Sequence, residues 1–432
     1  MTNAHGVTRE AIIDTEPNFY QDPAIIDDPK AYFEFKRSQA PAAWEPHYGT
    51  LVVTGYEEAL AVLTDRNGVF SNASSIVGPI PGLPFTPEGA DIRAQLDEHR
   101  AQMPWSEHLV AFDGNKHGEY RALLGSLLTF KRLKQNEAYL EDLVDRLIGG
   151  LESGRPVNIV TDFAHAVTVY AISDLMGIPI EHRGILLEQI GAPPSQLDGD
   201  VGKVGPDPLA PMKPLFDSYL KDRQDNDRGD LMSDLVRSRM KDGSPPDFEV
   251  LSGLARFLFG AGQDTTSRLI AMAVLILAED PKLQARLRND PGRIKDFIEE
   301  CLRFDAPVKM SYRLALEDTS IGEVAVPAGT IVAVSLTAAS WDPAKFADPG
   351  EFDLDRPFVR DHMGFSRGAH GCLGAPLGRM EARIAIERLL ACTAAFRIAD
   401  DHHGGPGDRR FNFEPTYSFR SLSDLFVEIE PA

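Results

Sequence analysis

Apolar residues recur at helical spacing through most of the chain, over roughly Tyr56–Thr64, Gly118–Leu127, Asn136–Leu151, Thr161–Met176, Leu251–Leu277, Pro281–Asp290, Arg293–Phe304 and Gly374–Thr393. Two stretches read as strand instead. TLVVT at Thr50–Thr54 and VAVPAGTIVAVS at Val324–Ser335 combine β-branched residues with Pro-Ala-Gly turn chemistry. The pattern predicts a mainly α protein with small β-sheets. Gly78–Gly89 (GPIPGLPFTPEG) and Ala192–Pro214 interrupt it with proline and glycine, as mobile surface loops do, and are candidate lids. No tether, charge block or internal repeat divides the sequence. One domain over residues 1–432 is expected, with a short N-terminal extension of about residues 1–20.

The segment Gly253–Leu277 (GLARFLFGAGQDTTSRLIAMAVLIL) is apolar and long enough to raise the question of a membrane span, and Arg256, Gln263, Asp264 and Arg268 argue against one. It reads as a buried central helix. In its middle, Gly260-Ala261-Gly262-Gln263-Asp264-Thr265-Thr266 offers small residues that admit something large, beside an acid and two hydroxyls that compete for helical carbonyls. A functional bend and ordinary close packing around a satisfied polar pair both fit. Gln263 reads as facing solvent.

At 432 residues, with 43% hydrophobic and 8% aromatic content, the chain can bury a large core. A formal net charge of −21 excludes nucleic acid as a partner, so any docking of an acidic partner must use a local basic patch. The N-terminal MTNAHGVTREAIIDTEP lacks a basic stretch followed by an apolar one, which predicts a soluble cytoplasmic protein with no membrane insertion. Cys301, Cys372 and Cys392 are too few for a disulfide framework, and a reduced thiol is free to be a ligand.

Cys372 is the thiol whose surroundings suggest chemistry. In FSRGAHGCLG, Gly368, Gly371 and Gly374 permit unusual backbone angles and leave amides free to point at sulfur, and a helical run opens at Gly374. Amide donors and a helix N-terminus are expected to lower the thiol pKa, as a soft ligand for iron requires. Taken alone, a buried cysteine packing as a small hydrophobe is the competing explanation.

Phe365-x-x-Gly368-x-x-x-Cys372-x-Gly374 resembles the haem-binding signature of the cytochrome P450 family, and three further motifs occur in the family's order. Asp264-Thr265 is similar to the acid-alcohol pair of its long central helix. Glu300-x-x-Arg303 matches Glu-x-x-Arg, and Pro349-x-x-Phe352-x-x-x-Arg356 resembles the segment before the cysteine loop. The resemblance runs from about residue 20 to the C-terminus. Two departures are visible: Ser366 replaces a usual glycine, and Trp341-Asp342-Pro343 stands where Arg-Asp-Pro is common. Both read as packing variants.

The resemblance implies the cytochrome P450 fold, with haem b between the long central helix and the cysteine loop and its following helix. Cys372 would be the axial iron ligand, and Phe365, Gly374 and Ala261 would line the cofactor. His117, Arg121, Arg313 and His370 would hold the propionates, His117 and Arg121 lying four apart on one helix face. Asp264 and Thr265 would deliver protons. Glu300, Arg303 and Arg356 would form a buried structural network, spacing to Arg303 selecting Glu300 over Glu299.

The implied activity is haem-thiolate monooxygenation, inserting one oxygen atom from O2 into an apolar organic molecule. Electrons would come from NAD(P)H through a reductase and an iron-sulfur ferredoxin docked on Lys116, Arg367, Arg379 or Arg383, positions that ordinary surface solvation explains nearly as well. Ile76, Phe85, Phe257, Ala261, Val308, Met310 and Phe419, with Ile80 and Leu83 nearby, are pocket candidates that could equally pack the core. Lys309, between apolar neighbours, is expected to point away from a pocket suited to a neutral or weakly polar compound. A haem-thiolate peroxygenase, a haem ligand sensor and a colourless non-haem binding protein are the alternatives.

Overall fold

The computed structural model describes residues 16–151, 154–189 and 209–432. The first fifteen residues and residues 192–208 of the second candidate lid lie outside that range. Helix dominates, as the periodicity predicts. The central helix, Phe248–Glu279, is 32 residues long, about 48 Å at the usual rise. It starts where the Asp247 carboxylate accepts from the amides of Glu249 and Val250. It runs unbroken through Gly260–Thr266. Gly262 packs against Ile172, and Thr265 bonds back to the helix at Ala261.

Along the central helix lie His165–Met176 and Ala375–Cys392, the latter opening directly after the cysteine loop. Ile294–Phe304 packs against Ala375–Cys392 in turn, so its buried face becomes the floor beneath the loop. One apolar cluster, including Leu269, Ile270, Phe297, Leu302, Ile384 and Leu389, joins these helices. Ile159–Met176, whose first turn is a π-helical one, is long and apolar enough to cross a membrane by composition, and 72% of it is buried in the protein.

Among the described residues ten strands form: β1 Ala42–Glu45, β2 Thr50–Val53, β3 Phe70–Ser71, β4 Val157–Asn158, β5 Met310–Ala315, β6 Thr319–Ile321, β7 Val324–Val326, β8 Ile331–Ser335, β9 Thr393–Ile398 and β10 Phe426–Pro431. The main sheet has the order β1-β2-β8-β5-β3, with β2 parallel to β8. The stretch expected as one strand signal at Val324–Ser335 divides at Pro327-Ala328-Gly329. Its first half pairs with β6 and its second enters the main sheet between β2 and β5. Strand alternation in β5 sends Met310, Tyr312 and Leu314 into an N-terminal cluster with Phe19, Tyr20 and Tyr417. Arg313 takes the opposite face.

Candidate functional site

The cysteine loop is shaped by backbone demands. Gly368 has φ +72°, and a Cβ there would meet the Leu63 carbonyl oxygen at 2.1 Å, so only glycine fits. Ser366 has φ +57°, a left-handed conformation in which a side chain costs about 1 kcal/mol. The departure from glycine at 366 is therefore a matter of backbone strain as well as packing. The loop closes where the Cys372 amide donates to the Phe365 carbonyl (2.8 Å).

Cys372 is solvent-accessible although protein surrounds it on nearly all sides, so the thiol lies in a recess and not on the outer surface. Burial pushes its pKa up. The Gly374 and Ala375 amides and the Arg121 guanidinium pull in the other direction without prevailing. The expected lowering is thus not achieved by the polypeptide alone; a bound metal cation would complete the ionisation, since a coordinating thiol is deprotonated outright.

Four basic side chains converge on the loop. His117 and Arg121 come from Gly114–Leu127, Arg313 from β5, and His370 from the loop itself. The two imidazoles stack, ring centroids 3.7 Å apart. Arg121 donates to the Gly371 carbonyl. Arg313 is 3% exposed, bonds to Ser311 Oγ (2.9 Å) and the Tyr312 carbonyl (2.8 Å), and leaves Nη2 without a partner. Burial lowers its pKa to about 10, and burial beside Arg313, His117 and Arg121 takes His370 down to about 2. None of the four forms an ion pair with a carboxylate among the described residues. Two arginines, one of them buried with an unpartnered nitrogen, and a stacked pair of neutral imidazoles beside an accessible thiol fit a metal-bearing group with carboxylate arms.

On the central helix, Thr265 donates to the Ala261 carbonyl (3.0 Å), and Ala261 is exposed and Thr265 part-exposed. Asp264 pairs with Arg268 at 2.8 Å, one turn along the helix, and Arg268 also binds Glu414 at 2.9 Å. Gln263 differs from expectation: it is 5% exposed, with Oε1 unpartnered, so it faces the interior. Glu381, from the helix after the cysteine, is fully buried, and neither carboxylate oxygen has a hydrogen bond. Thr266 stands alongside at a geometry too poor to satisfy it, and burial holds the carboxyl well above its ordinary pKa.

Beneath the loop, Glu300 accepts from Arg303 Nε (2.8 Å) and Nη2 (2.7 Å), from Arg356 Nε (3.0 Å) and from the Asp353 amide (3.0 Å). The three residues expected as a network form one. Glu299 builds a second that the sequence reading passed over, accepting from Arg379 Nε (2.6 Å) and His362 Nε2 (3.1 Å). Despite burial, His362 and Arg379 hold its pKa down to about 2. Arg379 also stands 4.5 Å over the Phe365 ring. The adjacent acid thus grips the cysteine loop while Glu300 grips the preceding segment.

The pocket candidates divide. Phe419 bridges to Val308, Ser418 Oγ donates to the Ile76 carbonyl (3.0 Å), and Phe257 packs near Trp105 and His108. Met310 is buried in the N-terminal cluster, and Phe85 packs on that cluster and against His99, so neither is brought to the recess. Lys309 points away, as its neighbours suggested, donating to the carbonyls of Ile26 (3.1 Å) and Thr416 (2.7 Å). Of the docking candidates, Arg379 is committed to Glu299 and Arg383 to Glu137 and Glu387. Arg367 meets only backbone carbonyls, and Lys116 lies over Phe112. Glu414 and Arg268 were also missed, although the four-residue step from Asp264 to Arg268 was visible.

A family model described as cytochrome P450 matches residues 211–407. Cytochrome P450 109 of Bacillus spizizenii is 34% identical over 301 residues, covering 68% of this chain and 74% of that relative. Vitamin D(3) 25-hydroxylase of Pseudonocardia autotrophica is 33% identical over 305 residues, covering 68% and 73%. The solved structure of Mycobacterium marinum cytochrome P450 CYP150A6 in its substrate-free form superposes with a TM-score of 0.89 at 40% identity, covering 96% of this chain and 99% of that one.

Proposed function

Since the chain belongs to the cytochrome P450 family and is a P450 oxidoreductase that binds haem through a cysteine thiolate, we propose that Cys372 is its iron ligand and that it hydroxylates a neutral, apolar organic compound. Electrons come from NAD(P)H through a reductase and a ferredoxin, and the protein works in the cytoplasm as one domain. The observation that carries the site assignment is the accessible Cys372 thiol in a loop where Arg121, the stacked His117 and His370, and the buried Arg313 with Nη2 unpartnered converge. Haem bound there supplies dioxygen activation, with the thiolate favouring O–O cleavage.

The polypeptide does the rest. Arg121 and Arg313 neutralise the carboxylate arms, and His117 and His370, kept neutral by burial and the neighbouring arginines, orient them by hydrogen bonds. Thr265 offers a hydroxyl on the recess side, and Asp264 carries protons inward from solvent. Ile76, Phe257, Val308 and Phe419 give the substrate side an apolar surface. The cations that could anchor an acid are engaged elsewhere: Lys309 with two carbonyls, Arg93 with Asp91 and Glu317, Arg100 with Asp113. That leaves little to recognise a substrate carboxylate. The vitamin D(3) in the name of one relative is in keeping with such a pocket. Lys116 and Arg367, not tied to carboxylates, are the stronger ferredoxin contacts.

The test is an optical titration of the ferric protein with a monoterpene, testosterone, a simple aromatic and an aromatic acid. A spin shift with a neutral compound and none with the acid is expected; a shift with the acid alone overturns the substrate reading. Cys372→Ala should abolish the thiolate-type Soret band of the reduced carbon monoxide complex together with turnover, and retention of the band overturns the ligand assignment.

A further inference from the structure

Arg268 is shared among three groups, two of which lie outside the motifs. Its side chain is 4% exposed. Nη2 donates to Asp264 Oδ1 (2.8 Å), Nη1 to Glu414 Oε2 (2.9 Å), and the guanidinium stands 5.1 Å from the Phe419 ring centroid. Nε has no partner. Glu414 and Phe419 belong to one C-terminal turn, closed by the Phe413–Leu422 bridge and the Glu414 amide on the Ser421 carbonyl. The same turn holds the residues that lead into the Gly78–Gly89 candidate lid, Tyr417 Oη reaching the Val77 carbonyl (2.8 Å) and Ser418 Oγ that of Ile76 (3.0 Å). One cation thus connects the acid of the central helix to the segment carrying the pocket's aromatic residue.

Electrostatics limits what this cation can do. Burial lowers the Arg268 pKa, and Asp264 and Glu414 more than offset it, so the guanidinium stays charged and is no proton donor. Its effect lies in which oxygen it holds. While Nη2 is bonded to Asp264, that oxygen is occupied, and the hold depends on a fork braced by Glu414 and resting on Phe419. His165 from the neighbouring helix and Lys309, just before β5, are the further titratable groups that face the guanidinium. A compound that moves Phe419 moves the surface on which the fork rests.

We propose that Arg268 is a positioning residue that couples occupancy of the pocket at Phe419 to the freedom of Asp264, with Glu414 as its anchor on the C-terminal turn. This rests on the reading of Asp264 as the proton carrier. The test uses the haem-loaded protein with a surrogate bacterial ferredoxin and its reductase, and the panel compound giving the largest spin shift, at saturation. In Arg268→Gln and Glu414→Gln, product per reducing equivalent should fall at least about threefold and the solvent isotope effect on turnover should change. The titration Kd should stay within about twofold, and Arg268→Lys should restore about half of the loss. Phe419→Ala should change coupling in the same direction.

If Asp264→Asn leaves coupling intact, the reading of Asp264 itself fails. If Asp264→Asn uncouples while the Arg268, Glu414 and Phe419 variants behave as wild type, this inference alone is overturned. A measurement without turnover checks the shared charge: in urea unfolding, adding Asp264→Asn to Arg268→Gln should recover part of the lost midpoint, because it removes one of the two carboxylates left without their cation. Additive losses overturn the claim that the residues act as a unit.

Discussion

The floor beneath the cysteine loop and the wall formed by the central helix are both rich in buried charge, and they handle it in opposite ways. On the floor, Glu300 accepts four hydrogen bonds and Glu299 is held by Arg379 and His362. At the wall, Arg268 Nε and Gln263 Oε1 have no partner, and neither oxygen of Glu381, on the helix Ala375–Cys392 packed against it, has one. A buried carboxylate with every lone pair engaged fixes the chain around it, and removing a partner is costly. An unengaged one costs stability in the resting protein and persists where something else is to be bound or moved. The floor therefore reads as scaffold and the wall as working surface, although both arise from neighbouring helices of one core.

The floor offers the largest effects. Glu300→Ala leaves Arg303 and Arg356 as buried cations with no counter-charge, and should cost about 3–5 kcal/mol in denaturant unfolding, with haem retention falling alongside. A loss below about 1 kcal/mol would erase the contrast. Glu299→Gln keeps the shape and some acceptor capacity, so a smaller loss of about 2 kcal/mol is expected at neutral pH. Its pH dependence gives a sharper test. The folded pKa of Glu299 is depressed to about 2 from an ordinary 4.5, so its contribution is fully present above about pH 5 and is lost as pH falls toward 2. The difference between wild type and Glu299→Gln should shrink across that window, as unfolding midpoints at stepped pH would reveal.

Sequence alone made the floor's first network legible because its parts lie at fixed local spacing, Glu300 three residues before Arg303 and Arg356 in a recognisable run. Cys372 and the Asp264-Thr265 pair were legible for the same reason. Glu299 was passed over because its partners, His362 and Arg379, come from two segments far along the chain, and no periodicity brings those together. Glu414 is a similar case, reached only once the C-terminal turn folds over the central helix. Met310 failed for another reason. It sits on a strand the hydrophobic pattern did not reveal, and strand alternation turned it toward the N-terminal cluster. The helices Lys213–Asp225 and Ile180–Gln189 were missed because their polar residues blur the apolar stripe.

The smallest predicted effect separates the two regions most cleanly, because its sign is reversed. Glu381 is fully buried with neither oxygen hydrogen-bonded, and burial raises its pKa well above the ordinary carboxylate value. A carboxyl whose folded pKa is raised contributes fully below its unfolded pKa, and that contribution is lost as pH climbs toward the folded value. Glu381→Gln supplies a neutral group of the same shape that bears no such charging cost. Replacement should therefore be nearly neutral at pH 5 and should stabilise by about 1 kcal/mol at pH 8. Thermal or urea midpoints of the two proteins at both values decide it. Should Glu381→Gln instead destabilise at pH 8 as Glu299→Gln does, then Glu381 has a charged partner in solution, and the helix packed against the wall is satisfied in the same manner as the floor.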